Sequence, residues 1–483
     1  MGPFMLRTVG DQPTLWEAIL PEELRRLPDE LARVDALLDD PVFFAPFVPY
    51  FDPRIGRPST PMETYLRLMF LKFRYRLGFE SLCREVSDSI TWRQFCRIGI
   101  DRPVPHPTTL MKLTTRCGSA AVDGLNEALL AKAAEAKLLR CTRVRVDTTV
   151  VPSNVAYPTD AALLAKAVGR IATTGRRIRA AGGATRTGLR DRSRAAGKRA
   201  HAIASKLRSR AAAGRDEAMA AVKKANAELA DLADTAAAEA GRLLANAKRA
   251  LRKARTTAAH RKADRRPDPV AGRRRGRLAR AVNDLEELLE ATRRIAAQTR
   301  QRLAGVTPDG STRRVSLHDP DARPIAKGRL GKPVEFGHKA QVVDNDDGVV
   351  LDHDVQPGNP TDAPRMEPAI KRVARRTGRK PRTVAADRGY GEASVEDALH
   401  NLGVRHVVIP RKGRPTKARQ AEEHRQAFRR HLKWRTGCEG RISSLKRGYG
   451  WDRSRIDTTE GARIWVGHGV LTHNLVKISA LAS

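Results

Sequence analysis

The sequence predicts a mixed α/β domain built around one sheet, preceded by an all-helical region and interrupted by a long basic helical hairpin. Three observations lead there. Strand-like segments ("TRVRVDTTVVP", "FGHKAQVVDNDDGVVLDHDVQPG", "TVAADRGYG", "RHVVIP") alternate with helical ones once the insertion is set aside. The first 138 residues show helical spacing with capping and proline signals. Residues 160–316 are rich in alanine and arginine, almost free of aromatics, and hold about 60% of the net positive charge. A chain of 483 residues exceeds one ordinary core. The expected division is therefore 1–138, 139–159 with 317–483, and 160–316.

At the N-terminal end, "DDPVFFAPFVPYFDP" reads as an irregular segment packing on a neighbour. "TPMETYLRLMFLKFRYRL" has the T-x-x-E spacing of a capping box in Thr60 and Glu63, with Pro61 at the first helical position, so a helix is expected from Thr60. Shorter helices follow at "FESLCREVSDS" and "TWRQFCRIG", and a longer one starts at "HPTTLMKL". Such a group suits a helix-turn-helix relative, with Lys72, Arg74 and Arg76 as candidate phosphate contacts.

Val144 and Val146 alternate with Arg145 and Asp147, which predicts a strand, and Pro152 marks its exit. In the insertion, Met219, Val222, Asn226, Leu229, Ala233, Ala236, Ala240, Leu243, Ala247 and Ala250 keep coiled-coil spacing. A second seam runs through Leu278, Leu285, Thr292 and Thr299, with Val282, Leu289, Ala296 and Leu303 beside it. "RRPDPVAGRRRG" between them predicts a turn. After the insertion come a hairpin turning at Asp344–Asn345–Asp346–Asp347–Gly348, a helix ending at Gly378, two further strand–helix alternations, and a long helix carrying "RTGCEGRISSLKRG".

Charge narrows the function. Lysine and arginine outnumber aspartate and glutamate by 91 to 54, a surplus of +37 that nucleic-acid phosphates would neutralise. The five cysteines form no C-x2-C pair, which argues against a zinc site or a disulfide framework. No P-loop, secretory leader or membrane span is recognisable, so a soluble cytoplasmic protein is expected.

Three acids stand out. Asp147 is expected to end the first strand, Asp387 the strand after the hairpin, and Glu439 lies on the helix after the last strand. If the strands are neighbours, both aspartates emerge at one sheet edge and a crossing helix delivers the glutamate. Carboxylates brought together repel unless hard divalent cations neutralise them, which predicts Mg2+ or Mn2+, two ions for an in-line displacement at phosphorus. Other acids read differently: Asp344, Asp346 and Asp347 as a solvated turn, Asp319 and Asp321 as a structural turn, and Asp352 and Asp354 as strand residues competing with Asp147. Arg388 and Tyr390 follow the second aspartate as site support, DNA contacts or turn residues. Trp434, Tyr449 and Trp451 are candidates to stack on a base, with packing the expectation for Trp434. His468 and His473 read as packing residues. Gly437 and Gly440, poor helix formers, read as space around Glu439.

Arg435, Glu439 and Lys446 fit R-x3-E-x6-K, and with "VRVDTT", "AADRGYG", "HDPDARP", "GHKAQVVDNDDG", "HPTTL" and "LTHNLVKI" in order, the chain resembles bacterial insertion-sequence transposases of the DDE type. The tyrosine usual three places before the arginine is Leu432 here. The resemblance implies an RNase H-like catalytic domain behind an N-terminal helical DNA-binding region. It also implies metal ligation and catalysis by Asp147, Asp387 and Glu439, with phosphate contacts from Arg435 and Lys446. Its partners would be double-stranded DNA, as terminal inverted repeats and target, and a second copy in a synaptic homodimer on the bacterial nucleoid. Rival readings are a nuclease or resolvase that cuts without joining, and an architectural DNA-binding protein. The insertion departs in position from better-known relatives and is expected to grip DNA or form the dimer interface.

Overall fold

The computed structural model describes residues 4–6, 21–208, 215–261, 268–327 and 333–482. They divide into two units, one of residues 1–154 with 325–483 and one of residues 155–324.

The first unit begins with helices α1 (Asp29–Leu38), α2 (Met62–Arg74), α3 (Phe79–Asp88), α4 (Ile90–Phe95) and α5 (Pro107–Glu135). Every residue of α2 from Met62 to Phe73 is buried. A helix enclosed on all sides is the centre of its layer rather than an amphipathic surface element. The capping box does not form: Pro61 stands at the cap with no side-chain hydrogen bond, and Glu63 is buried. Its side chain belongs to the interior, so it is not turned back toward Thr60.

Burial also corrects the expectation for Lys72. Its ammonium is enclosed 4.3–4.8 Å from the ring centres of Phe73, Phe79 and Trp465 and donates to the Leu77 carbonyl at 3.3 Å, so it presents no charge to a phosphate. Arg74 makes a forked pair with Glu30 (2.7 and 3.0 Å), and exposed Arg76 bonds Asp452 at 2.6 Å. The indole of Trp465 thereby ties the closing helix to α2 through a cation, a link no periodicity reveals.

The sheet has strands β1 (Arg143–Pro152), β2 (Arg323–Ala326), β3 (Val334–Asp344), β4 (Val350–Pro357), β5 (Thr383–Ala386) and β6 (His406–Val408), in the order β2–β3–β1–β5–β6 with β4 also on β3. β1 runs antiparallel to β3 and parallel to β5, and β5 parallel to β6. α10 (Met366–Thr377) leads from β4 into β5, and α11 (Ala393–Asn401) makes the crossover between parallel β5 and β6. On one face Val144, Val146, Val343, Val384 and Ala386 join a core with α2, α5, α10 and the closing helix α15 (Thr458–Leu481). α10 buries Met366, Ala369, Ile370 and Val373 at helical spacing and stops at left-handed Gly378, as its sequence predicts.

The hairpin acids are not solvated. Asp344 is fully buried against Arg145, while Asp346 and Asp347 pair with Arg143 and Arg140. Asp352 is held by Arg372 and Arg376, and Asp354 by Arg365, so neither competes with Asp147 as a ligand. Asp319 accepts from the backbone of Asp321 and Ala322, the turn role expected of it.

Among the described residues the second unit contains four helices, α6 (Asp160–Ala180), α7 (Ser193–Arg208), α8 (Arg215–Arg261) and α9 (Pro269–Leu303), where a two-helix hairpin was expected. Alanine seams bury little area per residue. Leu164, Val168, Ile171 and Ile178 of α6 and Ile203 of α7 supply the missing bulk. The seams hold at Val222, Leu229, Leu243, Leu278 and Leu285, but Met219 is exposed and Asn226 bonds the Val222 carbonyl of its own helix. The expected turn also moves: Pro269 starts α9 under an Asp268 cap, while residues 262–267 lie outside the described ones.

Burial pushes the Lys72 ammonium down to about 7 from the ordinary lysine value of 10.5. The unfolded chain then binds more protons than the folded one between those values, so stability rises as pH rises from about 7 to about 10.5. Thermal unfolding of the wild type is expected to show that rise, and of Lys72→Met to lack it.

Candidate active site

The site begins with a register. β1 and β5 run parallel with Val146 opposite Ala386, so the next residues on the two strands are Asp147 and Asp387. Asp147 is not at a strand end as expected, since β1 continues along β3 to Pro152. It lies where β5 stops. There Asp387 leaves the sheet, caps the turn Arg388–Tyr390 and accepts the Gly389 N–H at 3.0 Å.

Glu439 arrives from above. The segment expected as one helix is three: α12 (Lys417–His424), α13 (Gln426–Arg435) and α14 (Gly437–Gly448). Thr436, at φ −56° and ψ −21°, joins the last two with near-helical geometry, so Arg435 and Glu439 keep their i,i+4 relation across the break. Arg435 reaches Asp147 Oδ2 at 3.2 Å and Glu439 Oε1 at 3.4 Å. One guanidinium thus stands between the carboxylates of strand and helix. Asp147 is 13% exposed and Glu439 65%. The strand acid is fixed, with its other oxygen on the Thr148 N–H at 2.7 Å; the helix acid is accessible.

Electrostatics agree with crowding. Burial pushes Asp147 up to about 6, and Asp387 and Glu439 add to this against Thr148 N–H and Arg435. Asp387 is also raised, by burial first and then by Asp362. That second acid was missed in the sequence, where "QPGNPTDAP" reads as a loop. Lys339 pairs with Asp362 at 2.8 Å. A Cβ on Gly389 would fall 3.0 Å from Asp387 Oδ1 and 3.3 Å from Asp362 Oδ2. Glycine there keeps the space between two carboxylates open.

Among the described residues no three acid, histidine or cysteine side chains converge closely enough to hold a metal ion. The donor chemistry nevertheless suits one: oxygen-only donors, one fixed on a strand and one in the turn that leaves the next strand, both with raised proton affinity, and a glycine-lined gap beside Asp387. Arg435 supplies the neutralising charge in this arrangement.

The helix bearing Glu439 is anchored from beneath. Arg145 points to the same face as Asp147 and forms two bonds to Asp344, at 2.8 and 3.0 Å. It also donates to the Trp434 carbonyl at 3.1 Å. Trp434 lies under the guanidinium groups of Arg143 and Arg145, each 4.8 Å from its ring centre. Packing therefore occupies it, as expected, and Tyr449 and Trp451 are buried, so base stacking fails for those two. Gly437 has its own reason: a Cβ there would lie 2.0 Å from Arg145 Nη1, whereas Gly440 meets nothing within 4 Å. The space serves the arginine below, not Glu439. Arg388 donates to the carbonyls of Arg411 and Gly413, Tyr390 is buried against Gln341, and Lys446 is half-buried. His468 and His473 are buried, the latter on the Gly348 carbonyl, as packing residues.

Two outcomes follow from this anchorage. Gly437→Ala is expected to destabilise the fold and disturb Glu439, while Gly440→Ala is neutral or stabilising by up to about 1 kcal/mol; urea titration of both compares them. Asp344→Asn, which leaves the buried Arg145 charge uncompensated, is expected to cost about 3–5 kcal/mol in the same measurement.

The Transposase domain (DUF772) family matches residues 20–116, and the Transposase DDE domain family matches residues 306–475. Asp387 and Glu439 fall inside the second match, and Asp147 falls between the two. An uncharacterized protein, ORF8 in the nfe locus of Rhizobium meliloti, is 28% identical over 120 residues, which are 24% of this chain and 58% of that relative. No solved structure matches significantly. With a transposase domain matched over its helical region and a DDE domain matched over the stretch that holds Asp387 and Glu439, the comparisons support an insertion-sequence DDE transposase.

Proposed function

We propose that this transposase cuts the ends of its own element and joins them to target DNA, using Asp147, Asp387 and Glu439 on an RNase H-like sheet. The observation that carries the reading is the parallel register that makes Asp147 and Asp387 neighbours, beneath a helix start carrying Glu439. A central strand with an antiparallel hairpin on one side and two parallel strands on the other supports the fold reading.

The three acids would hold the metal, two ions of Mg2+ or Mn2+ on the proposed reading. When bound, the metal polarises the scissile phosphodiester and lowers the pKa of the attacking water or 3′-hydroxyl. The protein's share is positioning. Asp147 is set by its strand and the Thr148 N–H, and Asp387 by its turn. Glu439 is tied in this arrangement to Arg435 at 3.4 Å and exposed, so a side-chain rotation brings it toward the aspartates. Arg435, relieved of neutralising Asp147 and Glu439, turns its guanidinium to a phosphate oxygen, a forked partner it matches well. Lys446, on α14 with Glu439, adds a second cation for the strand being cut.

DNA contact by Arg388 is retained in this reading because its side chain is exposed beside Asp387. The helical region would bind the terminal inverted repeats, and two copies would pair the ends. Lys72 has no part in DNA contact, being enclosed.

Asp147→Asn, Asp387→Asn and Glu439→Gln are each expected to lower magnesium-dependent cleavage and joining of the element's ends by more than about a hundredfold, with end binding kept. Gel assays that score nicking and joined product separately decide it. Cutting without joining in the wild type would favour a nuclease, and DNA binding with no cutting an architectural protein. Persistent cleavage in Asp387→Asn would reject the assignment of the acids.

A further inference from the structure

The inserted bundle lies largely between the two family matches, and its charges are segregated in a way its composition hides. In the body, cations meet acids: Arg177 pairs with Asp284 at 3.0 Å, Arg199 with Glu228 at 3.1 Å, and Arg300 with Asp231 and Asp234 at 2.8 and 2.6 Å. Beyond them the helices themselves carry no acids, and Asp268 is spent capping α9. No aspartate or glutamate occurs on α8 after Glu239, nor on α9 before Asp284. The two helices are antiparallel there, because Leu243 and Leu251 share an apolar cluster with Leu278 and Leu285. The end of α8 and the start of α9 therefore form one end of the bundle. It is the end remote from Asp160, where the first helix begins on the side of Gln298 and Arg302.

That end presents exposed Arg252, Lys253 and Arg255 on α8 and exposed Arg273, Arg277 and Arg280 on α9. None of the six makes an ion pair among the described residues. The three α9 arginines are spaced i, i+4, i+7, so they share a face and span about 10 Å of helix axis. A surface protein domain ordinarily intersperses its charges, and a one-sign patch costs self-repulsion unless a polyanion meets it.

We propose that this end of the bundle is a sequence-independent grip on the backbone of double-stranded DNA. The cations are long, solvated and unpaired, which suits phosphates rather than base edges. The choice of DNA as the polyanion rests on the transposase reading, but nothing here depends on the chemistry of the three acids. The charge is also built on a rigid support, since the apolar clusters of the bundle continue to Leu251 and Leu278. The grip is thus held at a fixed spacing rather than on a disordered tail.

The test uses the full chain in metal-free buffer with a random-sequence duplex, so a failure of the catalytic assignment cannot affect it. A variant with Arg252, Lys253, Arg255, Arg273, Arg277 and Arg280 all changed to Gln is compared with one carrying Arg177→Gln, Arg199→Gln and Arg300→Gln in the ion-paired body. Affinity is measured across a salt series, and helix content by circular dichroism. The end variant is expected to keep its helix content and lower the slope of log K against log salt by about 5 if each cation meets a phosphate. The body variant is expected to change it by less than about 1. An unchanged slope in the end variant, or an equal fall in both, overturns the proposal. So does an unchanged slope accompanied by lost self-association in sedimentation, which would assign the patch to a second copy.

Discussion

The active-site layer depends on one buried ion pair. Arg145 and Asp344 stand opposite each other on adjacent antiparallel strands, almost without solvent, and the arginine's remaining donors go to the carbonyls of Trp434 and Asn345. Burying both charges carries a desolvation cost that two hydrogen bonds only partly offset. What the pair provides is location: it fixes the C-terminal end of α13 over the sheet, two residues along from Asp147. Arg435 and Glu439 inherit their positions from that contact. Gly437 exists to let the guanidinium approach the start of α14.

The charges of the site form a second layer on this anchor. Carboxylates from a strand and a turn are partly buried beneath an exposed one at a helix start; Arg435 pairs with Asp147 and Glu439, and Lys339 with Asp362. Such a site favours cations and disfavours its own ionised state, the condition under which a divalent ion is bound strongly.

Much of this was readable in the residue order. The valine alternation around Asp147, the Gly378 stop and the "AADRGYG" segment gave a strand, a helix end and a strand running into a turn at Asp387 correctly. The glutamate's neighbourhood was partly readable: the i,i+4 spacing of Arg435 and Glu439 survives although Thr436 divides the helix. Asp362 and Lys339 were invisible because a loop and a neighbouring strand meet only after folding. Lys72 and the hairpin acids were misread for a common reason. A charged residue in a pattern defaults to solvent, yet three aromatic rings enclose the lysine and arginines from other strands reach the aspartates. The paired helices of the insertion were read from spacing, whereas α6 and α7 were not, because alanine seams give no account of what covers them.

The sequence by itself determined the alternation of strands and helices, the surplus of positive charge and the order of Asp147, Asp387 and Glu439 along the chain. Those properties are local, set by periodicity and side-chain chemistry. Tertiary structure decided which strands pair in parallel, that Asp147 lies beside Asp387 rather than at a strand end, and that the glycine before Glu439 makes room for Arg145. It also decided which cations are spent inside the fold and which remain free for a polyanion. These depend on contacts between residues up to hundreds of positions apart, and such contacts leave no period in the chain.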